Sequence, residues 1–310
     1  MIRLIAILGG SGSGKSRLGL ELAQKLDCEI FSLDSLSIYQ EINISSAKPT
    51  KKELMSVHHY GINILSPLEH NNASLFCSLL QEAICQTQEK RKKALLIIGG
   101  SSFYLKSIID GLSPLPQIQK NTLEEIKEKI ANLTSPLEFL QSIESKLPFS
   151  HQDTYRIHKY LEIYFSTGVA PSVYFQQNPK IPFPYKIEKY ALSLPREILR
   201  ERITLRSKKM LEMGILDEAK TLLEKYGGQI QPFGSIGLKE CKEYFEGKIK
   251  NTDELLSLIS THTTQLAKRQ NTFNRTQFGT PLALNEVSNF KDYALEHIVQ
   301  GSYHELLRSI

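Results

Sequence analysis

The chain has few cysteines and no long apolar run. Its four cysteines, Cys28, Cys77, Cys85 and Cys241, include no C-x-x-C pair, which excludes a zinc ribbon and a disulfide framework and points to a reducing cytoplasm. The first apolar stretch, residues 4–8, is far too short to cross a membrane and has no small-residue cleavage site behind it, so neither a membrane span nor export is expected. Internal repeats and low-complexity tracts are also missing, which excludes solenoids and disordered linkers. Charge of one sign is scarce: 38 basic against 33 acidic side chains leave a net +5. That surplus does not by itself demand a nucleic-acid partner, and clustering of the cations has to decide.

The 310 residues, 41% hydrophobic and 23% charged, suit a globular protein with one large domain plus an insertion, or two domains. Residues 4–8 read as a buried strand, 9–14 as a glycine-rich turn and 15–26 as a helix with Leu18, Leu22 and Leu26 on one face. Two further apolar runs, 29–33 and 94–98, end in Asp34-Ser35 and Gly99-Gly100-Ser101. Polar residues at the C-terminal ends of buried parallel strands are where open α/β sheets bind ligands. From Ser113 prolines and charged helical stretches (123–132, 155–165) replace strand-like runs until residue 187. We therefore expect an α/β fold: a first core part over 1–112, a mainly helical insertion over 113–185, and a second core part over 186–310. The last part should hold a returning strand, a helix over 196–225 that stops at Gly227-Gly228, and helices to the C-terminus.

Gly9, Gly10, Ser11, Gly12, Ser13, Gly14, Lys15 and Ser16 satisfy G-x-x-x-x-G-K-[ST] directly after a strand and before a helix. Such a loop aims consecutive amides at one anion, the helix dipole and the Lys15 charge add to it, and the Ser16 hydroxyl can ligate Mg²⁺. The sheet is accordingly expected to be P-loop NTPase-like, parallel and flanked by helices. The motif specifies a polyphosphate or diphosphate rather than ATP. An ATPase normally carries a second carboxylate at a strand end, and the 94–98 strand ends without one. Asp34 is the well-placed acid, open to a role as magnesium partner or general base.

Further motifs follow in order: Ser32-Leu33-Asp34-Ser35 with Tyr39, Ser46-Ala47-Lys48-Pro49-Thr50, Gly99-Gly100-Ser101-Ser102-Phe103-Tyr104, Gly111-Leu112-Ser113-Pro114-Leu115-Pro116 and Asp153-Thr154-Tyr155-Arg156. Leu161-Glu162, Gly237-Leu238-Lys239-Glu240, and Gln265-Leu266-Ala267-Lys268-Arg269-Gln270 with Thr272 and Arg275 complete the series. Together they resemble the bacterial tRNA dimethylallyltransferase (tRNA isopentenyltransferase) family nearly end to end. Departures from the family pattern are Gly10, Ser11, Leu238, Thr264 and Phe273.

The resemblance implies that the loop holds the diphosphate of dimethylallyl diphosphate, with Mg²⁺ as cofactor. It implies a tRNA anticodon stem-loop as partner and the N6 amine of the adenosine just 3′ of the anticodon as acceptor. Under it Asp34 accepts the amine proton, Ser101 stands near the leaving group, and Arg202 is directed toward the diphosphate. The adenosine should be flipped out of its stack, with Asp34, Ser35, Leu36, Ser37, Arg156, Lys159, Lys239, Lys268, Arg269, Gln270 and Arg275 along the tRNA. A monomer is expected.

Two alternatives belong beside this reading: an adenylate isopentenyltransferase acting on free nucleotide, and a small-molecule kinase on the same loop. The insertion and the C-terminal cations oppose the first, and the absent second acid opposes the other. A GTP switch lacks an N-K-x-D segment. His58-His59 lacks a third ligand at metal spacing. Tyr39, Phe103 and Tyr104 are candidates for stacking or for core packing.

Overall fold

The computed structural model describes residues 2–278 and 282–285. Its centre is a six-stranded sheet in which every pairing is parallel, ordered β3-β2-β4-β1-β5-β6. The strands are β1 (Arg3–Leu8), β2 (Glu29–Ser32), β3 (His59–Tyr60), β4 (Ala94–Ile98), β5 (Ile187–Ser193) and β6 (Leu282–Asn285). All five residues of β4, and five of the six in β1, are buried, as expected of strands covered on both faces. From β1 the chain proceeds to β2 and β4 on one side and reaches β5 on the other. The carboxyl end of β1 is therefore the switch point where α/β sheets bind ligands.

Helices cover the sheet because their apolar residues recur at helical spacing. α1 (Lys15–Leu26) buries Leu18, Leu22 and Ala23 against Ile5, Ile7, Leu96 and Ile98. A glycine is required inside it: a Cβ at Gly19 would fall 1.7 Å from Ile98 Cδ1. α2 (Lys51–Ser56) starts with a capping box between Thr50 and Glu53. α3 (Ala73–Glu89) buries Phe76, Leu80, Ala83, Ile84 and Thr87. α4 (Ser102–Asp110) follows β4 directly.

Two compact units divide the chain. One comprises 1–109 and 184–310, and the other runs over 110–183. The smaller unit contains α5 (Lys120–Ala131), α6 (Pro136–Ile143), α7 (Thr154–Thr167) and α8 (Pro171–Gln177). Its own core joins Ile126, Ile130, Leu140, Ile157 and Leu161.

In the larger unit, the single helix expected over 196–225 is two: α9 (Arg196–Glu212) and α10 (Ile215–Tyr226). Gly214 separates them at φ 92°, a left-handed conformation that ends one helix and opens the next. α11 (Leu238–Phe245) and α12 (Thr252–Gln277) complete this layer. Neither β3 nor β6 was expected. Two residues are too few to show alternation, and β6 lies where only helices were anticipated. The helical expectation beyond residue 285 lies outside the described residues.

Candidate active site

Backbone geometry builds the phosphate loop before any side chain acts. Gly9, Gly12 and Gly14 have φ of 151°, 82° and 94°. A Cβ at Gly12 would stand 2.9 Å from Ile203 of α9, and one at Gly10 would stand 3.1 Å from Ala267 of α12. The loop is thus pressed between these two helices, over the small cluster of Leu199, Ile203 and Ala267. Gly14 is the N-cap of α1 and offers no side-chain acceptor, so the first-turn amides remain oriented toward a ligand. Lys15 is buried and gives hydrogen bonds to the carbonyls of Gly9 and Gly10, both at 2.8 Å. Burial, reinforced by the charge of Arg206 and opposed by Asp34, lowers its pKa to about 8. Ser16, one residue on, is exposed.

Asp34 follows β2. Its Oδ1 accepts from the amides of Leu36 at 2.9 Å and Ser37 at 3.1 Å, which leaves Oδ2 as the outward oxygen. Leu36 and Ser37, expected along the tRNA, are only 7% and 4% exposed. Their amides hold the carboxylate, and the Ser37 hydroxyl bonds to Ser32, so their side chains do not form a contact surface. Ser101 Oγ accepts from the Ser35 amide at 3.1 Å, tying the end of β4 to the Asp34 segment. A Cβ at Gly99 would lie 1.9 Å from the Leu33 carbonyl, so only glycine permits this approach.

The sequence expectation gave no role to Asn71 or Glu218, which support the segments around Asp34 and before Lys48. Asn71, 5% exposed, donates to the Ser35 carbonyl at 2.8 Å and accepts from Tyr104 Oη at 2.8 Å. Tyr39 is core: it is 1% exposed and donates to Gln231 Oε1 at 2.7 Å. Phe103, by contrast, is 55% exposed. Lys48 donates to the Tyr39 carbonyl and to Asn63 Oδ1. Burial lowers its pKa to about 8 against the opposing charges of Glu218 and Asp34. Glu218 accepts from the amides of Asn43, Ile44 and Ser45 at 2.7, 2.8 and 3.0 Å and from Ser45 Oγ at 2.6 Å, fixing the loop before Lys48.

α9 contributes, besides the expected Arg202, an arginine one turn further on. Arg206 is the group whose charge acts on both Lys15 and Asp34, and burial lowers its pKa. Arg202 lies one turn earlier on the same helix, and both are partly exposed. The i, i+4 spacing put both on one face, and nothing local distinguished them.

α12 closes the site with Gln270, which accepts from the Ser11 amide at 2.8 Å and donates to the Gly100 carbonyl at 2.8 Å. Lys268, Arg269 and Arg275 on the same helix are exposed, and so is Lys239 on α11, 3.9 Å from Glu243. In the smaller unit, Arg156 pairs with Asp153 and lies over Phe149, while Lys159 bonds Glu162 at 2.6 Å. Among the described residues no group of three or more His, Cys, Asp or Glu side chains is arranged to hold a metal, His58 and His59 included. An ion here would be held by hydroxyl and phosphate oxygens instead.

The family model described as "IPP transferase" matches residues 37–277. A tRNA dimethylallyltransferase of Helicobacter pylori is 48% identical over 297 residues, covering 95% of this chain and 94% of that one. Its counterpart in Wolinella succinogenes is 47% identical over 279 residues, covering 89% and 93%. Among solved structures, a full-length tRNA isopentenylpyrophosphate transferase of Bacillus halodurans aligns with TM-score 0.66 and 25% identity, covering 92% and 90%. A eukaryotic dimethylallyltransferase acting on tRNA aligns with TM-score 0.75 and 25% identity, covering 92% and 74%.

Proposed function

This chain belongs to the IPP transferase family, and from that membership we propose how its site transfers a dimethylallyl group to tRNA. The enzyme is a tRNA dimethylallyltransferase in activity. The donor is dimethylallyl diphosphate, and its diphosphate rests on the amides of residues 9–16. As the carbon–oxygen bond breaks, negative charge grows on the departing diphosphate. Fixed donors aimed at that charge, namely the loop amides, Lys15 and Arg206, stabilise it more than they stabilise the bound donor.

The acceptor is the N6 amine of the adenosine 3′-adjacent to the anticodon. Its nitrogen forms the new bond to carbon, and Asp34 Oδ2 takes the displaced proton. The observation that carries this reading is the convergence of Lys15 and Asp34, past the carboxyl ends of β1 and β2, with Arg206 of α9, whose charge acts on both. Cation and carboxylate side by side suit a reaction that expels an anion and removes a proton. Mg²⁺ fits the oxygen donors available: it retains several waters and binds through few protein ligands plus phosphate. The exposed Ser16 hydroxyl at the loop would hold it, and it would supply further charge neutralisation. Exposed Lys239, Lys268, Arg269 and Arg275, and Arg156 and Lys159 in the smaller unit, contribute phosphate contacts that repay base flipping. The four unpaired cysteines suit a cytoplasmic enzyme.

The test is product analysis by mass spectrometry after incubation with tRNA, dimethylallyl diphosphate and Mg²⁺. The expected product is N6-dimethylallyl adenosine at one anticodon-loop position. Equal turnover with AMP would reassign the acceptor.

A further inference from the structure

α12 turns one stripe toward the phosphate loop and the end of β4. Ala267 and Asn271 both approach Gly10, within 3.1 Å of where its Cβ would stand. Gln270 spends both ends of its amide on Ser11 and Gly100. Asn274 is seven residues beyond Ala267, so helical periodicity puts it in the middle of this stripe, one turn past Gln270. A point at Gly100 is 2.8 Å from Gln270 Nε2 and 3.8 Å from Asp34 Oδ2. Gln270, on this stripe, and the outward oxygen of Asp34 thus face the same point.

Asn274 is 5% exposed, and neither its Oδ1 nor its Nδ2 has a hydrogen-bond partner. Ser102, two residues past Gly100, is likewise 5% exposed with an unpartnered Oγ. A ring contact between Phe103 and Phe273, at 6.3 Å, joins the two helix segments carrying them. Buried side-chain polar groups are normally satisfied, and unmet ones are costly to the fold. Two on helix segments joined by this ring contact indicate a ligand that brings the matching donor and acceptor.

We propose that Asn274, together with Ser102 on α4, is a specificity-determining residue that reads the amino-purine edge of the acceptor base. This rests on the reading of adenosine as acceptor. The 6-amino group has two hydrogens. Asp34 removes one, Asn274 Oδ1 accepts the other, and Asn274 Nδ2 donates to the ring nitrogen beside it. A carboxamide is the side-chain complement of that donor–acceptor pair, as asparagine is to adenine in duplex recognition. Gln270 cannot serve, because its amide is already committed to backbone groups.

The full-length protein is assayed with Mg²⁺, dimethylallyl diphosphate and anticodon stem-loops carrying adenosine, 1-deazaadenosine or 7-deazaadenosine at the acceptor position. For the wild type, one of the two deaza substrates should lower kcat/KM roughly 5- to 150-fold. Asn274→Leu should show a comparable loss with adenosine and treat all three substrates nearly alike, with an unchanged KM for the donor. Its Tm should be unchanged or raised, because an unmet buried polar group is removed. Retained discrimination in Asn274→Leu overturns the proposal. So does a loss of activity accompanied by a lowered Tm, or one expressed in donor KM alone. A wild type that modifies AMP but no stem-loop overturns the acceptor reading, and this inference with it. Transfer to stem-loops without discrimination overturns only the inference.

Discussion

Gln270 links the two halves of the donor site by accepting from Ser11 and donating to Gly100, each at 2.8 Å. The two backbone segments are far apart in sequence, and one amide holds both. Gln270→Leu removes both bonds and leaves two partly buried backbone groups unpaired. Diphosphate affinity should fall about tenfold, for roughly 1–2 kcal/mol of lost preorganisation. Calorimetric titration with inorganic diphosphate measures it, and undiminished affinity would dissociate the bridge from donor binding.

Asp34→Asn separates geometry from chemistry. Asn retains an oxygen able to receive the Leu36 and Ser37 amides, so the loop should keep its shape while the proton acceptor is lost. Single-turnover rates should fall by about 10² to 10⁴ with donor and tRNA binding preserved. A loss confined to Mg²⁺ and diphosphate affinity would instead make the residue a metal partner.

The depressed pKa of Lys15, about 8, sets a pH dependence for anion binding. Below that value the amine is charged and attracts diphosphate. Above it the free protein loses the proton, so affinity should decline with rising pH, by at most about tenfold per unit for a single linked proton. Lys48 has a similar value, and diphosphate itself titrates. The difference between wild type and Lys15→Met therefore carries the test: the variant should bind weakly and lack the Lys15 component. Parallel pH curves for the two proteins would exclude Lys15 as its source.

Glu218 is a positioning residue for the loop that precedes Lys48. Glu218→Ala removes the acceptor of three amides and one hydroxyl, and should cost about 2–4 kcal/mol in urea unfolding. Glu218→Gln, which keeps an acceptor oxygen, should recover part of that. Equal stability of both variants with wild type would show that the loop holds itself.

Lys268 and Arg269 are exposed on α12. Replacing both by alanine should weaken tRNA binding and reduce the slope of log K against log salt by about one per lost phosphate contact, leaving diphosphate affinity intact. An unaltered slope in fluorescence anisotropy would put tRNA elsewhere.

What the sequence determined alone was local. The glycines of residues 9–14, the lysine after them and the apolar runs on both sides specify strand, anion loop and helix, because contiguous residues suffice to set backbone dihedrals and helix dipole. Asp34 was singled out for the same reason, as the acid just past a buried strand, whereas the role expected of Ser101 came from the family resemblance. Tertiary structure decided which distant groups reach them. Arg206 beside Arg202, Gln270 as a bridge, Asn71 and Glu218 as supports, and Asn274 without a partner all depend on how α9, α10 and α12 pack across the loop and the sheet. Helical spacing restricts such residues to a face, whereas only packing determines what that face meets.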